Sequence, residues 1–99
     1  MLLIMGTVRL PESGLDRALP AMERMVTASR AEDGCLTYAY GQDVFDPTVI
    51  HIVERWRDRD ALKAHGASAH MAEWRAQGAE LGLHDRDLKL YEADEGTSL

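Results

Sequence analysis

Glu54 and His65 are the residue types in this sequence best suited to moving a proton. Glu54 falls in the run Val49–Arg57 (VIHIVERWR), where Ile50, Ile52, Glu54 and Trp56 share one side of a strand because side chains alternate every two residues. If the isoleucines face the core, so does the glutamate, and a carboxylate taken out of water needs a partner. His65, on the following element, is the nearest candidate in sequence. The pair either fastens helix to sheet or works as a base, in which case the carboxylate fixes the tautomer and strengthens the imidazole. Trp56, Trp74, Tyr38 and Phe45 either pack the core or line an aromatic pocket. Tyr38 stands opposite Glu54 unless the second and third strands slip by one residue.

The other histidines read differently. His70 follows His65 by five residues, ~140° around an ideal helix, too far to clamp one ion as an i, i+4 pair does. A break at Gly66 would change that geometry, but no third ligand is evident, so no metal is expected. His51, mid-strand on the opposite side from Glu54, reads as a hydrogen-bonded imidazole at an interface, and His84 as a solvated group in a polar turn. Cys35 has no neighbouring base and packs as a small apolar residue. The scattered glycines form neither a phosphate-cradling loop nor a dinucleotide fingerprint.

Positioning these groups falls to elements whose apolar period switches between 2 and 3.6. Residues 2–10 read as a strand closed by Pro11. Ser13-x-x-Asp16 resembles a capping box, and helical spacing follows through Leu15, Leu19, Met22, Met25 and Val26. Pro20 inside this run predicts a loosened start and a firm helix over 20–30. Asp33-Gly34 is a turn signal before a second strand over 35–43, and Phe45-Asp46-Pro47-Thr48 turns the chain into the third, over 49–57. Asp58 caps a helix through His65, Gly66 interrupts it, Ser68 caps its continuation to Leu81, and Gly82 closes it. Residues 86–93 alternate as a fourth strand, and 94–99 are expected to fray.

The order is β-α-β-β-α-β, a ferredoxin-like α+β fold with both helices on one face of a four-stranded antiparallel sheet, in one domain over 1–93. Neither side of the third strand is cleanly polar, and two helices cover only one face. A second copy of the sheet on the other face, making a homodimer with His51 and Val53 at the contact, is the economical solution.

The 99 residues carry a net charge of −6, with 45% hydrophobic and 28% charged residues. That is globular composition, and its acidity disfavours nucleic acid and anionic membrane as partners. One cysteine permits no internal disulfide and no multi-cysteine zinc site. The apolar start lacks a cationic leader region, and no stretch approaches ~18 apolar residues, so a cytoplasmic domain is expected.

The ordered set Glu32-x-Gly34-Cys35-x-x-Tyr38, Asp46-Pro47 and Glu54-x-Trp56-x-Asp58-x-x-Ala61-Leu62-x-x-His65-x-x-Ser68-x-His70 resembles the antibiotic biosynthesis monooxygenase family. The resemblance implies a subunit that pairs sheet to sheet into a dimeric α+β barrel, with a pocket between helices and sheet. Its members include cofactor-free oxygenases of quinols and anthrones, haem-degrading enzymes and an isomerase of a bacterial signalling sugar. The haem-degrading branch typically has an Asn on the first strand and a His late in the second helix; Leu2–Leu10 holds no Asn and the region around Trp74 no His, so haem is not expected. The leading expectation is a cofactor-independent monooxygenase that uses O₂ on an electron-rich aromatic. His65 and Glu54 would be its catalytic pair, and Trp56, Tyr38, Trp74 and His70 would contact the substrate. A small-aromatic binding or detoxification module and a sugar-phosphate isomerase are the alternatives.

Overall fold

The structure, a computed structural model, describes residues Met1–Leu99. Its elements are β1 (Leu2–Arg9), α1 (Leu15–Arg30), β2 (Cys35–Gln42), β3 (Val49–Trp56), α2 (Arg59–Gly66), α3 (Ala69–Leu81) and β4 (His84–Glu92). The strands form one antiparallel sheet in the order β2-β3-β1-β4, the ferredoxin-like arrangement, with the helices on one face.

The alternation of β3 decides which face is covered. Ile50, Ile52, Glu54 and Trp56 are 2%, 5%, 6% and 0% exposed, so all four point at the helices. Val8, Leu10, Ala18, Met22, Ile50 and Ile52 make one half of the core, and Leu2, Met25, Tyr38, Trp56 and Ala61 the other. On the opposite face, Met5 stands across from Val53, Val53 from Ala39, and Leu3 from Tyr91. No element of the chain covers these residues, and Met5 and Tyr91 are exposed.

The break between α2 and α3 follows the sequence signals. Asp58 caps α2 by accepting from the Ala61 amide at 2.9 Å, and Ser68 caps α3 by accepting from the Met71 amide at 3.2 Å. Gly82 closes α3 with φ 75°, a left-handed conformation suited to glycine.

Three local expectations differ from the structure. α1 runs unbroken from Leu15 with Pro20 inside it, because Pro20 lies on the solvent side while Ala18, Ala21, Met22 and Met25 hold the helix to the sheet. The Ser13–Asp16 box does not form: Ser13 adopts φ 57°, and Gly14 occupies the cap position, its amide donating to Pro11 O at 2.9 Å. β4 begins at His84, so that residue opens a strand instead of lying in a turn, although it stays exposed. No helix of the chain is long and apolar enough to cross a membrane.

Candidate functional site

The polar centre of the helical layer is assembled by a turn. After α1 the chain passes through Glu32, Asp33 and Gly34, and Gly34 takes φ 82°. A Cβ at Gly34 would stand 2.5 Å from the Ala61 Cβ, so only glycine lets this turn lie so close to α2. Arg57 holds the turn from β3's end with two bonds to the Asp33 carboxylate, each 3.2 Å. The arrangement delivers Glu32 to the last turn of α2, where His65 is 3% exposed. His65 Nδ1–H donates to Glu32 Oε2 at 2.6 Å. Because a carboxylate only accepts, this bond keeps the proton on Nδ1, and in the neutral imidazole Nε2 is then the acceptor nitrogen. Nε2 has no hydrogen-bond partner in the protein. The imidazole packs 4.6 Å from the Trp56 ring and 5.5 Å from Tyr38, centroid to centroid. His70, from the first turn of α3, places Nε2 3.2 Å from the same Glu32 oxygen.

Glu54 sits in a different setting. Its Oε1 accepts from the Trp56 indole N–H at 3.0 Å, both side chains being buried. Burial pushes its carboxyl above the usual range, with the indole bond and nearby His65 opposing that shift. Glu54 opens on a cavity of about 320 Å³ between α3 and the sheet, whose walls include Tyr38, Tyr40, Ile52, Met71 and Trp74. The Tyr38 and Tyr40 hydroxyls lie 3.1 Å apart, and the Tyr40 ring packs 5.8 Å from Trp74. Burial raises both phenols, Tyr40 to about 12, so both are protonated donors at neutral pH. Arg75, His84 and Arg86 line another part of the wall. A shallower depression of about 370 Å³ between α1 and the edge of β2 contains no histidine.

The structure therefore brings Glu54, Tyr38 and Trp74 together around one cavity, and Tyr38 stands directly opposite Glu54 in the β2–β3 register. It does not pair Glu54 with His65 by a hydrogen bond. The indole two residues along β3 takes Glu54, and the α1–β2 turn brings His65 a carboxylate 33 positions away. Trp56 is not part of the cavity wall; it fills the layer between Glu54 and His65. His70 faces Glu32 and a groove between α1 and α3, not the cavity. Phe45 is 95% exposed at the β2–β3 hairpin tip, where Asp43 Oδ2 accepts from the Phe45 and Asp46 amides and fixes the turn outward. His51 Nε2 lies 2.8 Å from Asp43 Oδ1 on the uncovered sheet face. Glu32 and Tyr40 are the site residues that residue-by-residue reasoning passed over. Tyr40 was open to detection, being two positions from Tyr38 and hence on the same face.

Known proteins share both sequence and architecture with this chain. Residues 1–77 match the sequence profile of the family described as Antibiotic biosynthesis monooxygenase. A Mycobacterium tuberculosis protein named "Putative monooxygenase Rv0793" is 38% identical over 73 residues, covering 73% of this chain and 71% of that protein. "Putative monooxygenase YcnE" of Bacillus subtilis is 27% identical over 81 residues, covering 82% and 85%. Among solved structures, a "putative antibiotic biosynthesis monooxygenase" from Deinococcus radiodurans superposes with a TM-score of 0.91 at 25% identity, covering 100% of this chain and 98% of that one. The Rv0793 structure superposes with a TM-score of 0.83. The profile match over more than half of the chain, on the β2-β3-β1-β4 sheet with its helical cover, makes this protein a member of the antibiotic biosynthesis monooxygenase family.

Proposed function

We propose that this protein is a cofactor-independent monooxygenase that oxidises an electron-rich aromatic, of quinol or anthrone type, with O₂. One observation carries the reading: a buried carboxylate, Glu54, opens on an aromatic-lined cavity with its proton affinity raised by burial. A carboxyl shifted toward neutral pH is a better base for a phenol than an exposed one. Deprotonation gives an electron-rich anion that passes one electron to O₂, and the radical pair recombines as a carbon-bound hydroperoxide. Loss of water then leaves one oxygen on the substrate as a carbonyl and releases the other as water, so the substrate supplies both electrons. Glu54 takes the first proton and returns it to the peroxide; it then takes the remaining proton from the oxygenated carbon as the O–O bond breaks and passes it to the departing hydroxide. Of the hydrogen-bonded Tyr38 and Tyr40 hydroxyls, one donates to the other and the second offers its O–H to the substrate's oxygen, while Trp74 and Met71 keep the site apolar. His65, held by Glu32, backs the Trp56 indole and so acts as a positioning residue for the Glu54 carboxylate.

The uncovered sheet face supports a homodimer, with the Leu3, Met5, Val53 and Tyr91 surface closed by a second copy and His51 near the contact. An obligate interface of that kind commonly buries more than ~2,000 Å².

A second reading, an isomerase of a phosphorylated sugar, draws on Arg75, His84 and Arg86 in the cavity wall, which would meet an anionic group. Oxygen uptake by chelator-treated protein on a panel of quinols and anthrones separates the two. Uptake that follows the protein and falls by about 10²–10⁴ in kcat in Glu54→Gln is the expected result. No uptake on any member of the panel, with binding of sugar phosphates instead, selects the second reading.

A further inference from the structure

The geometry points to a binding site for one divalent transition-metal ion, of the zinc class, formed by Glu32, His65 and His70. Three elements that are far apart in sequence aim ligand atoms at one point: the α1–β2 turn, the end of α2 and the start of α3. One ligand atom each from Glu32, His65 and His70 lies within 4.8 Å of the other two, and Oε2 of Glu32 is 2.6 Å from Nδ1 of His65 and 3.2 Å from Nε2 of His70. The sequence alone argued against this, because five residues on one helix splay two imidazoles apart. The break at Ser68 removes that objection, since Ser68 Oγ donates to His65 O at 2.6 Å while capping α3, and so turns His70 back toward His65. The ring centroids of the two histidines end 5.8 Å apart.

Two details separate this cluster from an ordinary hydrogen-bonded trio. His70 Nε2 is fully buried as an atom and makes no hydrogen bond; its 3.2 Å approach to Glu32 is off-axis for one. A buried nitrogen left without a partner is costly unless something occupies its lone pair. The His65 ring, besides, is fixed against Trp56, so its nitrogen is already oriented.

The donor set selects the ion. Two imidazoles and one carboxylate suit zinc, cobalt, nickel or iron(II), whereas calcium and magnesium need more oxygens than one glutamate provides. Ligand atoms around a tetrahedral zinc at about 2.0–2.2 Å stand roughly 3.4 Å from each other. The His70–Glu32 separation of 3.2 Å is near that already. His65 and Glu32, at 2.6 Å, must part by less than ~1 Å, a movement available to a glutamate in a turn. Nδ1 of His65 must also give up its proton, which passes to the unpartnered Nε2 so that the imidazole stays neutral. Three protein ligands leave the fourth position to water. The ion would clip the turn, α2 and α3 together; its three ligands lie outside the cavity at Glu54 and meet it only through His65, which packs on Trp56.

The test is zinc binding to the full chain after chelator treatment, followed by calorimetry with zinc chloride alone and by imidazole NMR. One ion per chain in the micromolar range or tighter is expected, with the signals of His65 and His70 moving and those of His51 and His84 unmoved. Bound zinc should also raise Tm with its concentration, because the unfolded chain has no assembled site. His70→Gln should weaken uptake by more than the ~10–100-fold that losing a supporting hydrogen bond costs a metal site, and His51→Gln should leave it unchanged. Absence of saturable uptake overturns the site. Uptake retained in His70→Gln, or NMR shifts confined to His51 or His84, overturns it equally, and the NMR result on the unaltered chain stands whether or not the variant folds.

Discussion

Glu54 carries opposing demands that one substitution can expose. Burial raises its carboxyl pKa in the folded state above the unfolded value, so folding is favoured below the ordinary carboxyl range near ~4.3 and loses that contribution as pH rises through the folded pKa. Glu54→Gln removes the charge yet keeps an oxygen for the Trp56 indole. The variant should therefore melt several degrees above the parent at pH 8 and show little advantage near pH 4, while losing turnover. A melting comparison at the two pH values checks the sign; a variant that is less stable at pH 8 contradicts it. His65→Ala removes a ring packed on Trp56 and Tyr38 and is expected to lower kcat less than Glu54→Gln does, with a cost in stability of about 2–4 kcal/mol. Chemical denaturation and turnover per folded chain, measured together, separate these effects. At this scale the inward direction of Glu54 and its register with Tyr38 were legible, because strand alternation is local. The partner of His65 was not: nearness in sequence favoured Glu54, and only the α1–β2 turn puts Glu32 there.

The helical layer depends on two junctions that differ in how openly the sequence announces them. Asp58 and Ser68 sit where capping chemistry says they should, so the α2–α3 break could be read directly. Ser68→Ala removes an acceptor for the Met71 amide and a donor to His65 O, and should cost about 1–2 kcal/mol. Gly34 is the less obvious junction. Its φ of 82° and its closeness to Ala61 combine backbone strain with a steric clash, so Gly34→Ala should destabilise by about 1–3 kcal/mol. The same change should lift Glu32 away from His65, visible as a shift in the His65 imidazole signals. α1 shows how a residue rule yields to its surroundings. Pro20 forfeits one backbone bond, but on the wet side, and the packing of Met22 and Met25 on the sheet outweighs that loss.

At the scale of the molecule, the ferredoxin-like order was legible from the alternation of strand and helix periods, and the uncovered face from the mixed polarity of β3. Which residues crowd that face needed the register: Met5 against Val53, Leu3 against Tyr91. Val53→Asp puts a charge at its centre and should convert a dimer into 11.0 kDa monomers by light scattering. A parent chain that is already monomeric at micromolar concentration removes the dimer proposal. The sheet order carries one more consequence, for how the chain comes to be folded at all. β1 precedes the other three strands in the sequence and lies inside the sheet, hydrogen-bonded to β3 on one side and β4 on the other. Leu2 pairs with Trp56 and with Glu92, so both partners of β1 lie far along the chain from it. During synthesis β1 waits as an apolar segment with both edges bare until β3 emerges, and with one edge bare until β4 does. Such long-range closure is slow compared with helix formation, and the waiting strand is the part of the nascent chain most in need of protection from aggregation.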